Sequence, residues 1–253
     1  MSDVGRPPPR IFTFVSIPRL EVVELAVAAG FNGVLVDLEH GPITVSDLPP
    51  LAAAAESKRG ACLVRVDSVT SAATGRALDC GATGIVFPHV GDADSAALAA
   101  GRARFDGRRS LNPFVRAAGY GQRRDYPESA DRNVEVICTI ESRDGLDNVE
   151  HILRVDGVSG LFVGPYDLSV ALGHPGDTHH PIVIDAIDHV IRLATAVGKS
   201  IGVFSSTARD AMGWRAKGVD TTFIGVDVDI YRSACLGILS DLETTNSPVE
   251  ESA

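Results

Sequence analysis

Two carboxylic acids, Glu141 and Asp167, each follow an apolar run that is typical of a buried β-strand. Glu141 comes directly after Val134–Ile140, and Asp167 follows Val158–Val163 by way of a Gly-Pro-Tyr turn. If these runs are consecutive parallel strands, their carboxyl ends lie side by side and both carboxylates are within reach of one cation. Two carboxylates, completed by water and a chelating substrate, are a usual ligand set for Mg²⁺ or Mn²⁺. The alternative is a pair of solvated loop acids or ion-pair partners of Arg143.

A histidine stands in a dense acidic motif that follows another apolar run. The motif reads Asp37-Leu38-Glu39-His40-Gly41-Pro42. A neutral imidazole close to a carboxylate suits a general base that works near neutral pH, which is the role we predict for His40. The alternative is an imidazole that is hydrogen-bonded to a loop carbonyl. His89 also follows an apolar run, but its neighbours in the sequence indicate no chemical role.

Arg65 lies near the end of the apolar run that begins at Ala61. Because an unpaired guanidinium is costly to remove from water, its side chain is expected either to pair with Glu141 or Asp67 or to bind an anionic ligand. Its planar fork of N–H donors suits a carboxylate or an enolate oxygen. A Schiff-base mechanism is not favoured, because the lysines fall in predicted helices or in loops before strands. These are Lys58, Lys199 and Lys217.

Eight β-rich runs must position these side chains. Most are continuous stretches of Val, Ile, Leu and Phe rather than alternating patterns, as expected for parallel strands buried on both faces. The predicted strands are Ile11–Ser16, Gly33–Asp37, Ala61–Val66, Gly84–Phe87, Val134–Ile140, Val158–Val163, Ser200–Phe204 and Thr221–Gly225. Charged and imidazole side chains fall after the carboxyl ends of these runs, which is where (β/α)8 barrels place their active sites.

Amphipathic, Ala-rich segments lie between the strands, and helices are predicted over Arg19–Ala29, Thr70–Cys80 and Asp185–Val197. A glycine follows each of them, as is typical of a helix end and an αβ loop. The pattern favours an α/β fold, a single (β/α)8 TIM barrel over residues 1–243 with a polar tail at 244–253. A doubly wound open sheet is the competing fold, and it is weakened because no G-x-G-x-x-G follows the first strand.

The longest irregular stretch, Phe105–Arg132, is rich in Arg, Gly and Pro and is predicted to be an extended functional loop. Its Arg-rich character stands out in a chain whose 23 Lys+Arg and 33 Asp+Glu give a net charge of −10. That charge gives no general electrostatic support for binding nucleic acid.

The remaining composition limits the location and size of the protein. A length of 253 residues fits one barrel, which typically uses about 250. The four cysteines are scattered through apolar stretches, which indicates reduced thiols. The N-terminal residues lack an apolar signal-peptide core, and no apolar run approaches the ~20 residues that cross a bilayer. We therefore expect a cytoplasmic protein that binds neither nucleic acid nor a membrane.

Taken together, these segments resemble the HpcH/HpaI aldolase family, the class II, metal-dependent aldolases of 2-keto-3-deoxy and 4-hydroxy-2-oxo acids. The similarity runs from Phe14 to Asp227, and it rests on the order and spacing of the motifs. The motifs are Ala29-Gly30-Phe31, Val36-Asp37-Leu38-Glu39-His40-Gly41-Pro42, Val64-Arg65-Val66, Leu78-Asp79-Cys80-Gly81-Ala82, Phe87-Pro88-His89-Val90, Asn112-Pro113-Phe114-Val115-Arg116-Ala117-Ala118, Ile140-Glu141 and Phe162-Val163-Gly164-Pro165-Tyr166-Asp167-Leu168-Ser169.

The resemblance implies a (β/α)8 barrel that exchanges its C-terminal helix between the subunits of a homo-oligomer, either a hexamer or a trimer. It implies a divalent metal, Mg²⁺, Mn²⁺ or Co²⁺, held by Glu141 and Asp167. Arg65 is expected to hold the enolate oxygen, and His40, supported by Asp79, to transfer the proton. The substrate carboxylate is expected at the turn formed by Gly164, Pro165, Tyr166 and Asp167. Supporting roles are implied for Asp37, Glu39 and Arg109.

The reaction implied by the resemblance is the cleavage or formation of 4-hydroxy-2-oxo acids, with pyruvate as the enolate partner and an aldehyde as the second small-molecule substrate. Two residues depart from the family pattern: Tyr166 replaces the usual Ala, and Ser110 replaces the second Gly of a Gly-x-Arg-Gly motif that retains Arg109. These departures leave open another pyruvate-enolate reaction, such as oxaloacetate decarboxylation or a specialised C–C bond formation. A barrel that binds a keto acid without catalysis is the alternative from another class.

Overall fold

The computed structural model describes residues 9–245, in which eight parallel strands close into a barrel in chain order. The strands are β1 (Arg10–Val15), β2 (Gly33–Asp37), β3 (Ala61–Arg65), β4 (Gly84–Phe87), β5 (Glu135–Ile140), β6 (Gly160–Val163), β7 (Ser200–Ser205) and β8 (Thr221–Val226). β8 returns to pair with β1 and closes the sheet. The predicted TIM barrel is confirmed, and every predicted strand overlaps an observed one.

Helices connect the strands around the outside of the barrel. They are α1 (Leu20–Ala28), α2 (Leu48–Ser57), α3 (Ala73–Cys80), α4 (Ala93–Ala103), α5 (Tyr126–Asn133), α6 (Arg143–Asp147), α7 (Val149–Leu153), α8 (Pro165–Ala171), α9 (Pro181–Ala196), α10 (Ala208–Ala216) and α11 (Asp227–Thr245). The helix predicted from Asp185 begins earlier, at Pro181. Proline is favoured in the first turn, and the His180 ring accepts a hydrogen bond from the Ile182 N–H at 3.3 Å.

The barrel interior is filled by large apolar side chains. One buried cluster takes an inward-facing residue from most strands: Phe12, Phe14, Leu35, Leu63, Val86, Ile137, Phe162 and Phe223. The rings of Phe162 and Phe223 meet edge to face at 4.7 Å between centroids. The alternate residues of the strands pack against the helices in a second, larger cluster. Because the interior is packed, a ligand has access only to the two ends of the barrel.

Two segments differ in detail from the sequence prediction. The stretch predicted as irregular contains a 3₁₀ turn over Arg116–Gly121 and the helix α5, which begins on the buried Tyr126. At the C-terminus, α11 continues through Thr245, two residues into the predicted polar tail. The rest of that tail, residues 246–253, lies outside the described residues, as do residues 1–8, so the domain boundary at 243 stays a prediction.

All four cysteines are free thiols. Burial raises the pKa of Cys62 and of Cys138 to about 12, so both remain protonated and behave as apolar core residues. Within residues 9–245, no helix combines the length and the apolar character that crossing a bilayer requires.

Candidate active site at the barrel mouth

Charged side chains gather at the carboxyl-terminal end of the strands, which we call the barrel mouth. Asp37 and Arg65 are the last residues of β2 and β3, and Glu141 directly follows β5. Asp167 lies in the first turn of α8, the helix that follows β6. Because all eight strands run in the same direction, the fold brings these four residues to the same end of the barrel.

Arg65 is held by two carboxylates from the segment that ends β2. Its Nε donates to Asp37 Oδ1 at 2.9 Å and its Nη2 to Asp37 Oδ2 at 2.7 Å, while Nη1 lies 2.9 Å from Glu39 Oε2. Of the two alternatives for Arg65, pairing with Glu141 or Asp67 is wrong, because its partners are Asp37 and Glu39, and the binding of an anionic ligand stays a prediction. Asp37 and Arg65 are register partners on neighbouring strands, so their side chains meet across the sheet edge.

The charges at the barrel mouth do not balance. Burial lowers the pKa of Arg65, but the hydrogen bonds and negative charge of Asp37 outweigh it and leave the pKa raised. Burial also raises the pKa of Glu39, against the attraction of Arg65. Among these side chains, the four carboxyl groups of Asp37, Glu39, Glu141 and Asp167 outnumber the single guanidinium of Arg65, so when ionised they carry an excess of negative charge that a divalent cation would neutralise.

Glu141 is buried and one of its oxygens is firmly positioned. The backbone N–H of His89 donates to Glu141 Oε1 at 2.7 Å, and the His89 Nδ1 lies 3.0 Å from the same oxygen. On its other side, His89 Nε2 lies 3.2 Å from Glu39 Oε1. His89 adopts a left-handed backbone conformation, with φ 53°, that turns the chain toward Glu141.

The sequence interpretation missed His89. Like Glu141, His89 is a polar residue close behind a strand-forming run, which it follows after Pro88, but no residue near it in the sequence predicts its two carboxylate contacts. The two contacted carboxylates, Glu39 and Glu141, follow β2 and β5. These strands lie on either side of β3 and β4 in the barrel and are far apart in the sequence. His89 therefore belongs to the site as a link between Glu39 and Glu141.

The second oxygen of Glu141 faces Gly164, the residue between β6 and α8. A Cβ placed on Gly164 would lie 2.9 Å from Glu141 Oε2, so a side chain there would fill the space beside this oxygen. Burial raises the pKa of Glu141, and the negative charge of Asp167 raises it further. Two carboxylates, of which Asp167 raises the pKa of Glu141 by its negative charge, are a donor set that fits a hard divalent cation.

The protein supplies only part of a metal coordination sphere. Among the residues of the described chain, no group of three or more His, Cys, Asp and Glu side chains is arranged to hold a metal ion. A cation at Glu141 and Asp167 would take its other ligands from water and substrate, as Mg²⁺ commonly does. This agrees with the ligand set expected from the sequence, which stays a prediction for the two residues.

His40 lies at the barrel mouth, where its ring is exposed to solvent. Its backbone N–H is 3.3 Å from Asp37 Oδ1, so the turn that carries it is held by the same carboxylate that binds Arg65. The imidazole and the Glu39 carboxylate attract one another, since His40 lowers the pKa of Glu39. An exposed imidazole at this position has the access that proton transfer to a ligand requires.

The predicted support of His40 by Asp79 does not form within one chain. Asp79 lies near the end of α3, shortly before β4 begins at Gly84, and therefore at the opposite end of the barrel. There it accepts a hydrogen bond from Arg109 Nη2 at 2.7 Å. Arg109, expected to support the site, is also at that end and donates to Tyr126 Oη at 2.6 Å. The structure thus separates both residues from the mouth of their own chain.

Tyr166 occupies the first turn of α8 beside Asp167 and is half exposed. Its hydroxyl lies 3.1 Å from Ser206 Oγ, and its ring lies 6.0 Å from that of Phe204. The phenol therefore spans from α8 to the segment after β7 and borders the barrel mouth. Pro165 is buried beneath it and fixes the start of the helix.

Arg65→Lys is expected to lower the free energy of unfolding by roughly 1–3 kcal/mol, because one ammonium cannot replace the paired N–H donors on Asp37. Arg65→Ala is expected to cost more, about 3–5 kcal/mol, since it leaves buried carboxylates without a counter-charge. Urea denaturation at pH 7 measures both. Arg154→Gln, which breaks only an exposed pair with Glu150, serves as the control. Equal stability of all three variants would contradict the role assigned to Arg65.

Comparison with known proteins agrees with this geometry. The profile of the HpcH/HpaI aldolase/citrate lyase family matches residues 10–234. The 5-keto-4-deoxy-D-glucarate aldolase of Escherichia coli (strain K12) is 35% identical over 213 residues, which is 83% of either chain. A solved HpcH/HpaI aldolase/citrate lyase family protein from Burkholderia cenocepacia J2315 is 33% identical, with a TM-score of 0.90 over 93% of this chain and 95% of that one.

A solved structure with another activity in its name is similar to the chain over nearly the same length. The citrate synthase SbnG is 30% identical, with a TM-score of 0.85 over 95% of this chain and 96% of that one. The match of the family profile to most of the chain, the identity to the aldolases and the shared barrel all agree. This chain belongs to the HpcH/HpaI aldolase/citrate lyase family.

Proposed function

We propose that this enzyme of the aldolase family cleaves or forms 4-hydroxy-2-oxo acids, with pyruvate as the enolate partner and an aldehyde as the second substrate. The observation that carries the proposal is the placement of Glu141 and Asp167 after adjacent strands, at a mouth that has excess negative charge and a buried arginine. The relatives named as aldolases support the same class of reaction.

A divalent metal is part of the proposal. Glu141 and Asp167 would hold it, and because both donors are carboxylate oxygens, Mg²⁺ and Mn²⁺ suit them best, with Co²⁺ as a further candidate. When bound, the metal supplies Lewis acidity to the 2-oxo acid. His89 leaves Glu141 Oε2 free for this purpose, since the backbone and ring nitrogens of His89 both approach Oε1.

The residues of the chain account for the other requirements of the reaction. Three N–H groups of Arg65 face Asp37 and Glu39, which leaves two of its five donors for the 2-oxo oxygen on which negative charge develops. The backbone N–H groups of Tyr166 and Asp167 lie in the first turn of α8, where a helix has no internal acceptors for them. We assign the substrate carboxylate to these groups and to the turn at Gly164 and Pro165.

His40 is the proposed general base. In the cleavage direction its imidazole removes the proton of the C4 hydroxyl, directly or through water. The C3–C4 bond then breaks, its electron pair passes to C3 of the enolate, and the C4 oxygen becomes the carbonyl of the aldehyde. Return of a proton to C3 completes pyruvate. In the synthetic direction the same steps run in reverse.

Exchange of the C3 protons of pyruvate with deuterated water tests the proposal without knowledge of the aldehyde. The purified protein with Mn²⁺ or Mg²⁺ is expected to catalyse the exchange, observed by ¹H NMR, and removal of the metal with EDTA is expected to stop it. A panel of short aldehydes then tests for aldol products. If neither exchange nor adducts appear with any metal, the proposed aldol reaction is excluded, and the keto-acid-binding barrel and the second candidate below are the alternatives.

A second candidate is a specialised C–C bond formation or an oxaloacetate decarboxylation that uses the same enolate. It is favoured by Tyr166, whose phenol borders the proposed carboxylate site, and by the similarity to the citrate synthase SbnG. The two candidates differ in their substrates. Faster turnover of oxaloacetate than of any 4-hydroxy-2-oxo acid would support the second candidate, and rapid aldol cleavage would exclude it as the main activity.

His89→Asn is expected to weaken Mn²⁺ binding about tenfold, the lower end of the effect of removing a group that orients a metal ligand. Asparagine tolerates the left-handed backbone of this position but is too short to contact both carboxylates. Calorimetric titration with Mn²⁺ measures the affinity, with His151→Ala on α7 as a control remote from the strand ends. An unchanged affinity would show that His89 does not position Glu141.

The assembly and location of the protein are also proposals. The long helix α11 extends from the barrel with many exposed apolar side chains, among them Tyr231, Ile238 and Leu242. A row of this kind is typical of a surface that packs against another chain. We propose that α11 is exchanged between subunits of a homo-oligomer, a hexamer or trimer. The four free thiols favour a reducing compartment, the cytoplasm.

A further inference from the structure

A cavity lies at the end of the barrel opposite the mouth, where the strands begin. Its volume is about 490 Å³, within the range of small-molecule sites. Residues just before or at the starts of β3, β4 and β5 form its floor, including Cys62, Thr83 and Val134. The segment predicted as a functional loop, Phe105–Arg132, covers one side of the cavity with lining residues from Arg109 to Ala130.

The lining of this cavity is strongly cationic. Four arginines face it, Arg59, Arg109, Arg116 and Arg123, against a single lining carboxylate, Glu56. Glu56 is already paired with Arg116. Since the whole chain carries a net charge of −10, this excess of positive charge is local and must be maintained by the cavity itself.

Arg109 is the most deeply placed of the four. Its side chain is only 2% exposed, and its Nη2 is used by Asp79 and Tyr126. Its Nε is buried and has no hydrogen-bond partner in the described part of the chain. A buried guanidinium N–H without an acceptor is costly, so a ligand oxygen at this position would stabilise the protein.

Arg123 and Arg59 lie at the exposed rim of the cavity. Arg123 is pre-oriented by hydrogen bonds from Nη1 to the carbonyl of Ala117 at 3.0 Å and from Nη2 to Ser129 Oγ at 3.3 Å. Neither of the two rim arginines forms an ion pair with any residue between 9 and 242, so their charges remain available. A ligand in the cavity would meet positive charge at its floor and at its rim.

We propose that this cavity binds a small, multiply charged oxyanion, in which separate oxygens reach the buried Arg109 and the rim arginines. Guanidinium groups recognise phosphate and carboxylate oxygens through paired N–H donors, and both chemistries fit the site. Neutral walls, such as the protonated thiol of Cys62 and the side chain of Val134, leave space for an apolar part of the ligand. The cavity lies at the end of the barrel opposite the mouth of the same chain, and its proposed ligand does not rest on the proposed reaction.

Calorimetric titration of the full-length, EDTA-treated protein with inorganic pyrophosphate tests the proposal, and tricarballylate provides a polycarboxylate arm. We expect one site per chain, with an affinity that falls as NaCl is raised. The double variant Arg59→Gln/Arg123→Gln is expected to lower the affinity about tenfold for each arginine replaced. Arg124→Gln is the matched control, because Arg124 is exposed next to Arg123 but does not line the cavity.

The outcomes separate clearly. Binding that weakens about a hundredfold in the double variant and is kept in the control supports the site, and the stronger of the two probes shows whether its ligand is a phosphate or a carboxylate compound. Binding of neither probe, or equal binding by the double variant, overturns the proposal. Both rim arginines are free of ion pairs within the described residues, so the variant is expected to retain its circular dichroism spectrum and its thermal midpoint without ligand.

Discussion

Glu141→Gln is expected to abolish specific Mn²⁺ binding at the barrel mouth and to reduce metal-dependent turnover by about 10³-fold or more. The size of the effect on turnover follows because Lewis-acid assistance lowers the barrier by several kcal/mol, and each 1.36 kcal/mol is a factor of ten in rate. An amide oxygen is a weaker ligand than a carboxylate and brings no charge. Calorimetry with Mn²⁺ and the pyruvate exchange assay measure the two effects.

The variant is expected to fold normally. Burial raises the pKa of Glu141, so a neutral amide removes the cost of holding a charge there while its oxygen still accepts the His89 N–H. Glu150→Gln, on an exposed face of α7, provides the control. Retention of Mn²⁺ affinity by the Glu141 variant would remove this residue from the metal site.

The same shift predicts how metal binding depends on pH. Protons compete with the metal for Glu141, and the raised pKa moves this competition to higher pH than for an ordinary glutamate. Affinity should therefore be full above the raised pKa and fall as the pH is lowered through it.

His40→Ala is expected to lower turnover by roughly 10²–10⁴, the range for loss of a general base, while metal affinity stays nearly unchanged. The imidazole is exposed and has no hydrogen-bond partner within residues 9–242, so its removal is not expected to destabilise the fold. His189→Ala, on an exposed position of α9, is the control. Steady-state kinetics on an aldol substrate gives the rate, and Mn²⁺ titration gives the affinity.

If His40 is the general base, the His40→Ala variant must lose turnover while it keeps its metal affinity. A parallel loss of metal affinity would make His40 a metal ligand or a residue that positions one. Unchanged turnover would transfer the role of base to another group, for which His89 and Glu39 are the titratable neighbours at the mouth.

The strands and the end of the barrel that carries the site were predictable from sequence. Continuous apolar runs identify buried parallel strands, and the residue after each run must face the mouth, as Glu141 does. The contacts that these residues make were harder to predict from the sequence. Arg65 pairs with Asp37 because the two are register neighbours, and a register is set by barrel closure rather than by any local pattern.

Asp79 and Arg109 show a second limit of prediction from sequence. Motif similarity assigned them to the site, but similarity along the chain carries no information about which end of the barrel a residue occupies within one subunit. Their positions follow from topology: Asp79 ends a helix that leads into β4, and Arg109 belongs to the segment before β5. The cationic cavity that Arg109 lines could not be predicted, because its arginines are distributed between positions 59 and 123.

Anomalous diffraction from crystals soaked with Mn²⁺ and pyruvate tests directly whether Glu141 and Asp167 hold the metal. We expect a manganese peak at the barrel mouth within about 2.3 Å of a carboxylate oxygen of Glu141 and of one of Asp167, with pyruvate completing the coordination. A manganese ion bound elsewhere while these two carboxylates face apart would contradict it.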